Sequence, residues 1–337
     1  MRKPKHSPGL KLMIMGICLI GIFLFSLLLG RYAVPFADVL RILASVVIPV
    51  TKTWSNLAEN MVLLVRVPRI CTAVLVGASL SVAGASYQCI FSNPMAAPDL
   101  LGASTSAGFG AALAILLGCS SFVVTGWAFT ASMLCLLLVL FIARLGKGSV
   151  TLNLILAGIM ISSLFQAGTS YLKLIADPNN TLPEITYWLM GSLSGMTMKE
   201  LGYVWIPITI GMVPIFMVRW QMNLLTIDDM EARTMGVSTS RIRVLVIICS
   251  TLLTAAAVSV SGIIGWVGLV IPHIARRISG NDCRYLIPAS ALLGGSFLLL
   301  VDDLARNLYS TELPLGIITA VIGAPFFIWL MIRERIS

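Results

Sequence analysis

From Leu12 onward the chain is a succession of apolar runs, most near the ~20 residues that a helix needs to cross a bilayer. Short polar connectors separate them. This pattern constrains the fold more than any motif does. Hydrocarbon offers no partner to an exposed N–H or C=O, so each spanning segment must satisfy its own backbone, and helices do so. The period-two alternation of a membrane barrel is absent from these runs. Charged residues make up 11% of the chain, against about 25% in soluble domains. The expectation is an all-α polytopic membrane protein of about ten transmembrane helices, forming one domain over residues 1–337.

The spans are expected at about 11–30, 57–90, 103–117, 122–143, 151–175, 203–218, 242–262, 267–278, 285–307 and 316–332. Two of them, 103–117 and 267–278, are short. An amphipathic piece is expected within 31–56, and a short helix near Glu184–Met190 within the external connector 176–200. The basic N-terminus followed by Leu12–Leu29 resembles a signal peptide, but the apolar run is long and ends in no A-x-A-like site, so an uncleaved first span is expected. Lys and Arg collect in cytoplasmic loops. The threading puts most of the 23 Lys and Arg on the side of the N-terminus, with both termini cytoplasmic.

The same topology signal accounts for the net charge of +9. No basic stripe carries the interleaved aromatics that nucleic-acid binding would require. An internal echo adds a fold-level expectation. Ser81–Gly84 precedes Pro94 as Ser259–Gly262 precedes Pro272, with opposite direction in the threading, which suggests a weak inverted repeat.

Chemistry-bearing motifs are few. Gly146–Ser149 (GKGS) lacks the first glycine of a Walker A loop and has Gly148 where Ser or Thr should follow the lysine. No HExxH, G-x-S-x-G or clustered metal set occurs, so no catalytic residue, metal or cofactor is expected. The seven cysteines are scattered and read as packing residues. His273 follows Pro272 at a span end and reads as a hydrogen-bonded structural histidine. Gly77, Ala78, Ser81, Gly84 and Ala85 are small residues on neighbouring rows that let helices approach. Asp302 and Asp303 lie within helical reach of Arg306 and can pair with it. Because acids within a span are costly, a second reading makes them the coupling site of an ion-driven secondary transporter. Arg66 and Arg69 share a helical face and suit either interfacial snorkelling or capture of an acidic partner. The longest polar excursion, Gln221–Arg243, suits contact with a soluble partner.

Seven stretches, taken in order, resemble the FecCD-type permease subunits of ATP-driven importers for iron–siderophore complexes, cobalamin and haem. They are RVPR at Arg66–Arg69, GASLSVAGASYQ at Gly77–Gln88, NPMAAPDLLG at Asn93–Gly102, YWLMGSL at Tyr187–Leu193, GWVGLVIPHIAR at Gly265–Arg276, DDLAR at Asp302–Arg306 and LPLGIITAVIGAPFF at Leu313–Phe327. The resemblance implies a dimer in the bacterial cytoplasmic (inner) membrane, with two ABC ATPase subunits inside and a periplasmic or lipoprotein substrate-binding protein outside. Family docking arginines fall on Arg66, Arg69 and Arg306. The coupling helices fall on about 224–240, with Asp228, Glu231, Arg233 and Gly236 in the polar loop, so two short helices joined near Gly236 are expected within Gln221–Arg243. The cytoplasmic gate falls on Thr151 and Leu152, where the apolar Leu152 departs from the usual polar pair. Gln88, Asn93, Pro94, Pro272 and His273 belong to the structural motifs. A bulky chelate is the implied cargo, ferric siderophore first, then cobalamin or haem, then an oxyanion such as molybdate.

Overall fold

The computed structural model describes residues 8–30, 32–226, 238–309 and 311–334. Among these, twelve helices and no strands are found. They are α1 (Pro8–Leu28), α2 (Phe36–Ser45), α3 (Asn56–Ile90), α4 (Ala103–Leu116), α5 (Ser121–Leu145), α6 (Val150–Ile175), α7 (Thr181–Met190), α8 (Met198–Val218), α9 (Thr239–Ser261), α10 (Val267–Ser279), α11 (Cys283–Asn307) and α12 (Leu315–Glu334). Seven, namely α1, α3, α5, α6, α8, α9 and α11, are long and apolar enough to span. With α4, α10 and α12 they make up the segments expected from sequence. At 14 residues α4 rises about 21 Å, short of a ~30 Å hydrocarbon core, so the count of ten is approximate.

Local signals explain where the helices start. Thr197 and Glu200 form a capping box, which opens α8 at Met198, five residues before the expected 203. Asp282 caps α11 by accepting the Arg284 N–H at 2.9 Å. α2 supplies the expected amphipathic piece, burying Val39 and Ile42. In α3, the turn Met61–Arg66 is π-helical, and Pro68 follows where ordinary α geometry resumes.

The core is organised on α3, whose segment from Pro68 to Ile90 is almost wholly buried. Its small residues receive two neighbours. A Cβ on Gly77 would meet the Gly294 carbonyl oxygen of α11 at 2.2 Å, and one on Gly84 would meet the Gly268 carbonyl oxygen of α10 at 1.8 Å. Pro272 lacks the N–H that would bond the Gly268 carbonyl in an unbroken helix. The small-residue stripe is therefore a packing device, as read from sequence. Pro98, in the turn Pro98–Leu101 that leads to α4, also packs on Gly268. The two short helices α4 and α10 thus begin close together, partway along α3. The echoed residues are not equivalent within this arrangement. Gly84 is mid-helix and Gly262 ends α9, while Pro94 lies in a turn and Pro272 lies inside α10.

Candidate functional site

The first feature lies where α1, α3 and α11 come together. Arg69 Nε donates to both oxygens of Asp302 at 3.0 and 3.1 Å, and its Nη1 donates to Glu312 at 2.9 Å. Arg306 pairs with Asp302 at 3.3 Å and with Asp303, while Ser26 donates to Asp303 at 2.6 Å. Arg66 donates to the Leu27 carbonyl at 2.7 Å and to the Tyr32 carbonyl. Arg66, Arg69 and Arg306 are 3%, 7% and 8% exposed. All three guanidinium groups are engaged by partners within the chain in this conformation. Buried cations require partners, and the chain supplies its own in Asp302, Asp303, Glu312 and two carbonyls. The local pairing of Arg306 with these acids is as read from sequence. Asp302 and Asp303 are 0% and 5% exposed and tied to arginines.

At the opposite end of α3, a second junction forms. Asn223 lies in the 3-10 turn Gln221–Thr226. Its Nδ2 donates to Asp282 Oδ1 at 2.8 Å and its Oδ1 accepts the Cys283 N–H at 2.8 Å, which joins the turn to the start of α11. Arg284 stacks on Trp220 at 5.7 Å, and Lys11 donates to the Ile278 carbonyl at 2.6 Å. Asp228, Glu231, Arg233 and Gly236 lie outside the described residues. Within Gln221–Arg243, the description covers the 3-10 turn and the first residues of α9.

The third feature was not anticipated from sequence. On α6, Leu152, Leu156, Ile159, Ser163, Gln166 and Ser170 recur at alternating steps of four and three, and all are exposed. That spacing puts them on one face. Its first half is apolar and its second half polar. The Ser163 and Ser170 hydroxyls donate to the Ile159 and Gln166 carbonyls, and Gln166 is exposed between them in the sequence. The two serine hydroxyls are satisfied within the helix, so the Gln166 amide is the group that lipid cannot satisfy, and a face carrying it suits a partner or a water path. The 4-3 recurrence of polar side chains in an apolar run was the available signal. Thr151, half-buried, and Leu152, 54% exposed, sit in the first turn of this helix.

The remaining motif residues lie at helix contacts and turns. Gln88 is buried and donates to the Leu269 carbonyl at 3.4 Å, linking α3 to α10. Asn93 accepts the Met95 N–H at 2.9 Å, turning the chain at Pro94. Pro272 is buried and His273 half-buried in α10. Asp99 opens onto a cavity of about 180 Å³ that Leu80, Ser104, Trp266 and Gly268 also line. Asp99 is exposed there and accepts the Ser104 N–H at 2.8 Å.

Comparison with known proteins agrees with this architecture. The FecCD transport family matches residues 18–333. A probable iron chelatin transport system permease protein of Helicobacter pylori is 40% identical over 275 residues, covering 82% of this chain and 83% of its own length. The molybdate import system permease protein MolB of Haemophilus influenzae is 37% identical over 337 residues, covering 96% and 94%. A solved inward-facing conformation of a metal-chelate type ABC transporter superposes with a TM-score of 0.86 at 34% identity, covering 97% of this chain and 100% of that one. The protein is a multi-span membrane transport subunit and belongs to the FecCD transport family.

Proposed function

We propose that this chain is the permease subunit of an ATP-driven importer that passes a bulky metal chelate, a ferric siderophore, across the bacterial inner membrane. The observation that carries the pathway is the α6 face. Its half-polar stripe is unsuited to lipid and is open in the single chain. A second copy supplies the other wall, and the path runs along the two α6 faces. Leu152, with Thr151 beside it, forms the apolar constriction at one end. The choice of an iron chelate rests on the Helicobacter pylori relative at 40% identity. The Haemophilus influenzae molybdate permease at 37% identity makes an oxyanion the competing cargo.

The ATPase subunits bind at the Asn223 junction, which together with both termini faces the cytoplasm. Asp228, Glu231, Arg233 and Gly236 contribute to that contact. Asn223 carries the movement directly into α11 through its two bonds to Asp282 and Cys283. The binding protein docks at the Arg66 end. There Arg66, Arg69 and Arg306 shape the docking face by holding α1, α3, α11 and the connection bearing Glu312 in register. Direct capture of the partner's acids would require them to leave internal partners. The permease forms and breaks no covalent bond during transport.

The test is uptake of radioactive iron as ferric siderophore by proteoliposomes holding the complete complex, with ferric citrate and molybdate in parallel. ATP-dependent ferric-siderophore uptake that survives collapse of the proton gradient is the expected result. Uptake abolished by that collapse while ATP is maintained would restore the ion-coupled reading through Asp302 or Asp303. ATP-dependent uptake of molybdate alone would overturn the cargo.

A further inference from the structure

Two thiols far apart in sequence meet at the Asn223 junction. Cys89, one residue before the end of α3, and Cys283, the first residue of α11, place their sulfurs 3.0 Å apart, 194 positions separated in the chain. Both are buried, and both are free thiols. A disulfide needs about 2.05 Å between sulfurs, so roughly 1 Å of closure makes the bond. The Arg276 guanidinium of α10 is an electrostatic neighbour of the Cys89 thiol. A fixed positive charge thus stands beside the sulfur. The Cys283 N–H is the group that Asn223 grips at 2.8 Å.

From this juxtaposition we infer that Cys89 and Cys283 form a reversible redox site whose disulfide staples α3 to α11 and immobilises the junction. Hydrogen peroxide is the oxidant class, since it is small enough to enter a packed interior. The Cys89 sulfur attacks one peroxide oxygen and the O–O bond breaks. Cys89 becomes a sulfenic acid, and its proton leaves with the other oxygen as water. The Cys283 sulfur then attacks the Cys89 sulfur, the S–O bond breaks, and the hydroxyl takes the Cys283 proton as a second water. Two thiols are oxidised by two electrons and one peroxide is reduced to two waters. A dithiol reverses the bond by exchange. In a reducing compartment such bonds are transient and signal oxidation.

The bond itself is independent of the transport reading. Its effect on turnover rests on the proposal that ATPase drive enters at Asn223. The experiment treats the complete complex in membranes with hydrogen peroxide, digests it without reduction and seeks the Cys89–Cys283 peptide by mass spectrometry. ATP hydrolysis is followed in parallel. The expected result is a linked peptide, a loss of hydrolysis, recovery with dithiothreitol, and loss of the response in both Cys89→Ser and Cys283→Ser. Absence of the linked peptide from oxidised wild type overturns the site, whatever the variants do. A linked peptide with unchanged hydrolysis, or a Cys89→Ser complex inhibited as strongly as wild type, overturns the staple. A complex that hydrolyses no ATP before oxidation counts against the transport reading, and the linked peptide still decides the site.

Discussion

A single methyl group at Gly84 tests whether α10 is held by backbone contact with α3. The added Cβ would sit 1.8 Å from the Gly268 carbonyl oxygen and 2.6 Å from its carbon. Nonbonded heavy atoms need roughly 3.5 Å, so the helices must part by about 1.5 Å. No flexible side chain can yield instead, because the obstructing atoms are backbone. Overpacking of this kind costs about 1–3 kcal/mol. Replacing glycine by alanine in a helix favours folding by about 1 kcal/mol, so the steric term decides the sign. Gly126 is the control: it lies inside α5, and a Cβ there meets nothing within 4 Å. Gly84→Ala should lower the heat resistance of the purified protein in detergent, and Gly126→Ala should leave it equal or raise it. Intrinsic fluorescence and aggregation on heating read both. Equal stability of the two variants would refute the close approach of α3 and α10.

Other outcomes follow from the same contacts. Asp302→Leu leaves Arg69 and Arg306 short of a buried partner and should cost about 3–5 kcal/mol, whereas the Arg69→Met, Asp302→Leu double variant should lose less; a double-mutant cycle on heat resistance checks the sign. Asn223→Ala removes two bonds to the start of α11 and should cost about 1–2 kcal/mol, with faster hydrogen exchange at the Cys283 amide read by mass spectrometry. Gln166→Leu should retain the fold and reduce uptake in proteoliposomes, since the residue is exposed on the α6 face.

The helices were legible because each apolar run carries its own period and length. Their ends were less so. An apolar window began α8 at 203, overlooking a capping box at Thr197–Glu200 that a hydropathy average does not register. The site was legible only where partners are close in sequence. Arg306 and its two acids sit within one helical turn, so their pairing could be read directly. Arg69 and Asp302 are 233 positions apart, and Cys89 and Cys283 are 194 apart. Nothing local announces such meetings, which arise from the packing of α3 against α11. The same packing buries Arg66, Arg69 and Arg306. The α6 stripe was legible in principle, since a 4-3 recurrence needs no tertiary information.

The π-helical turn at Met61–Arg66 gives α3 an adjustable joint. A π turn holds one residue more than the i→i−4 ladder requires. Losing one residue between Met61 and Val65 would let that turn relax to α geometry, while Arg66, Arg69 and all that follows kept their positions. The tip Asn56–Asn60 would keep its direction around the helix axis, because the wider π turn spends its extra residue on nearly the same total rotation. Length and aim are thereby uncoupled: one residue can be gained or lost at this joint while the tip and the buried body of α3 both stay clocked to their neighbours.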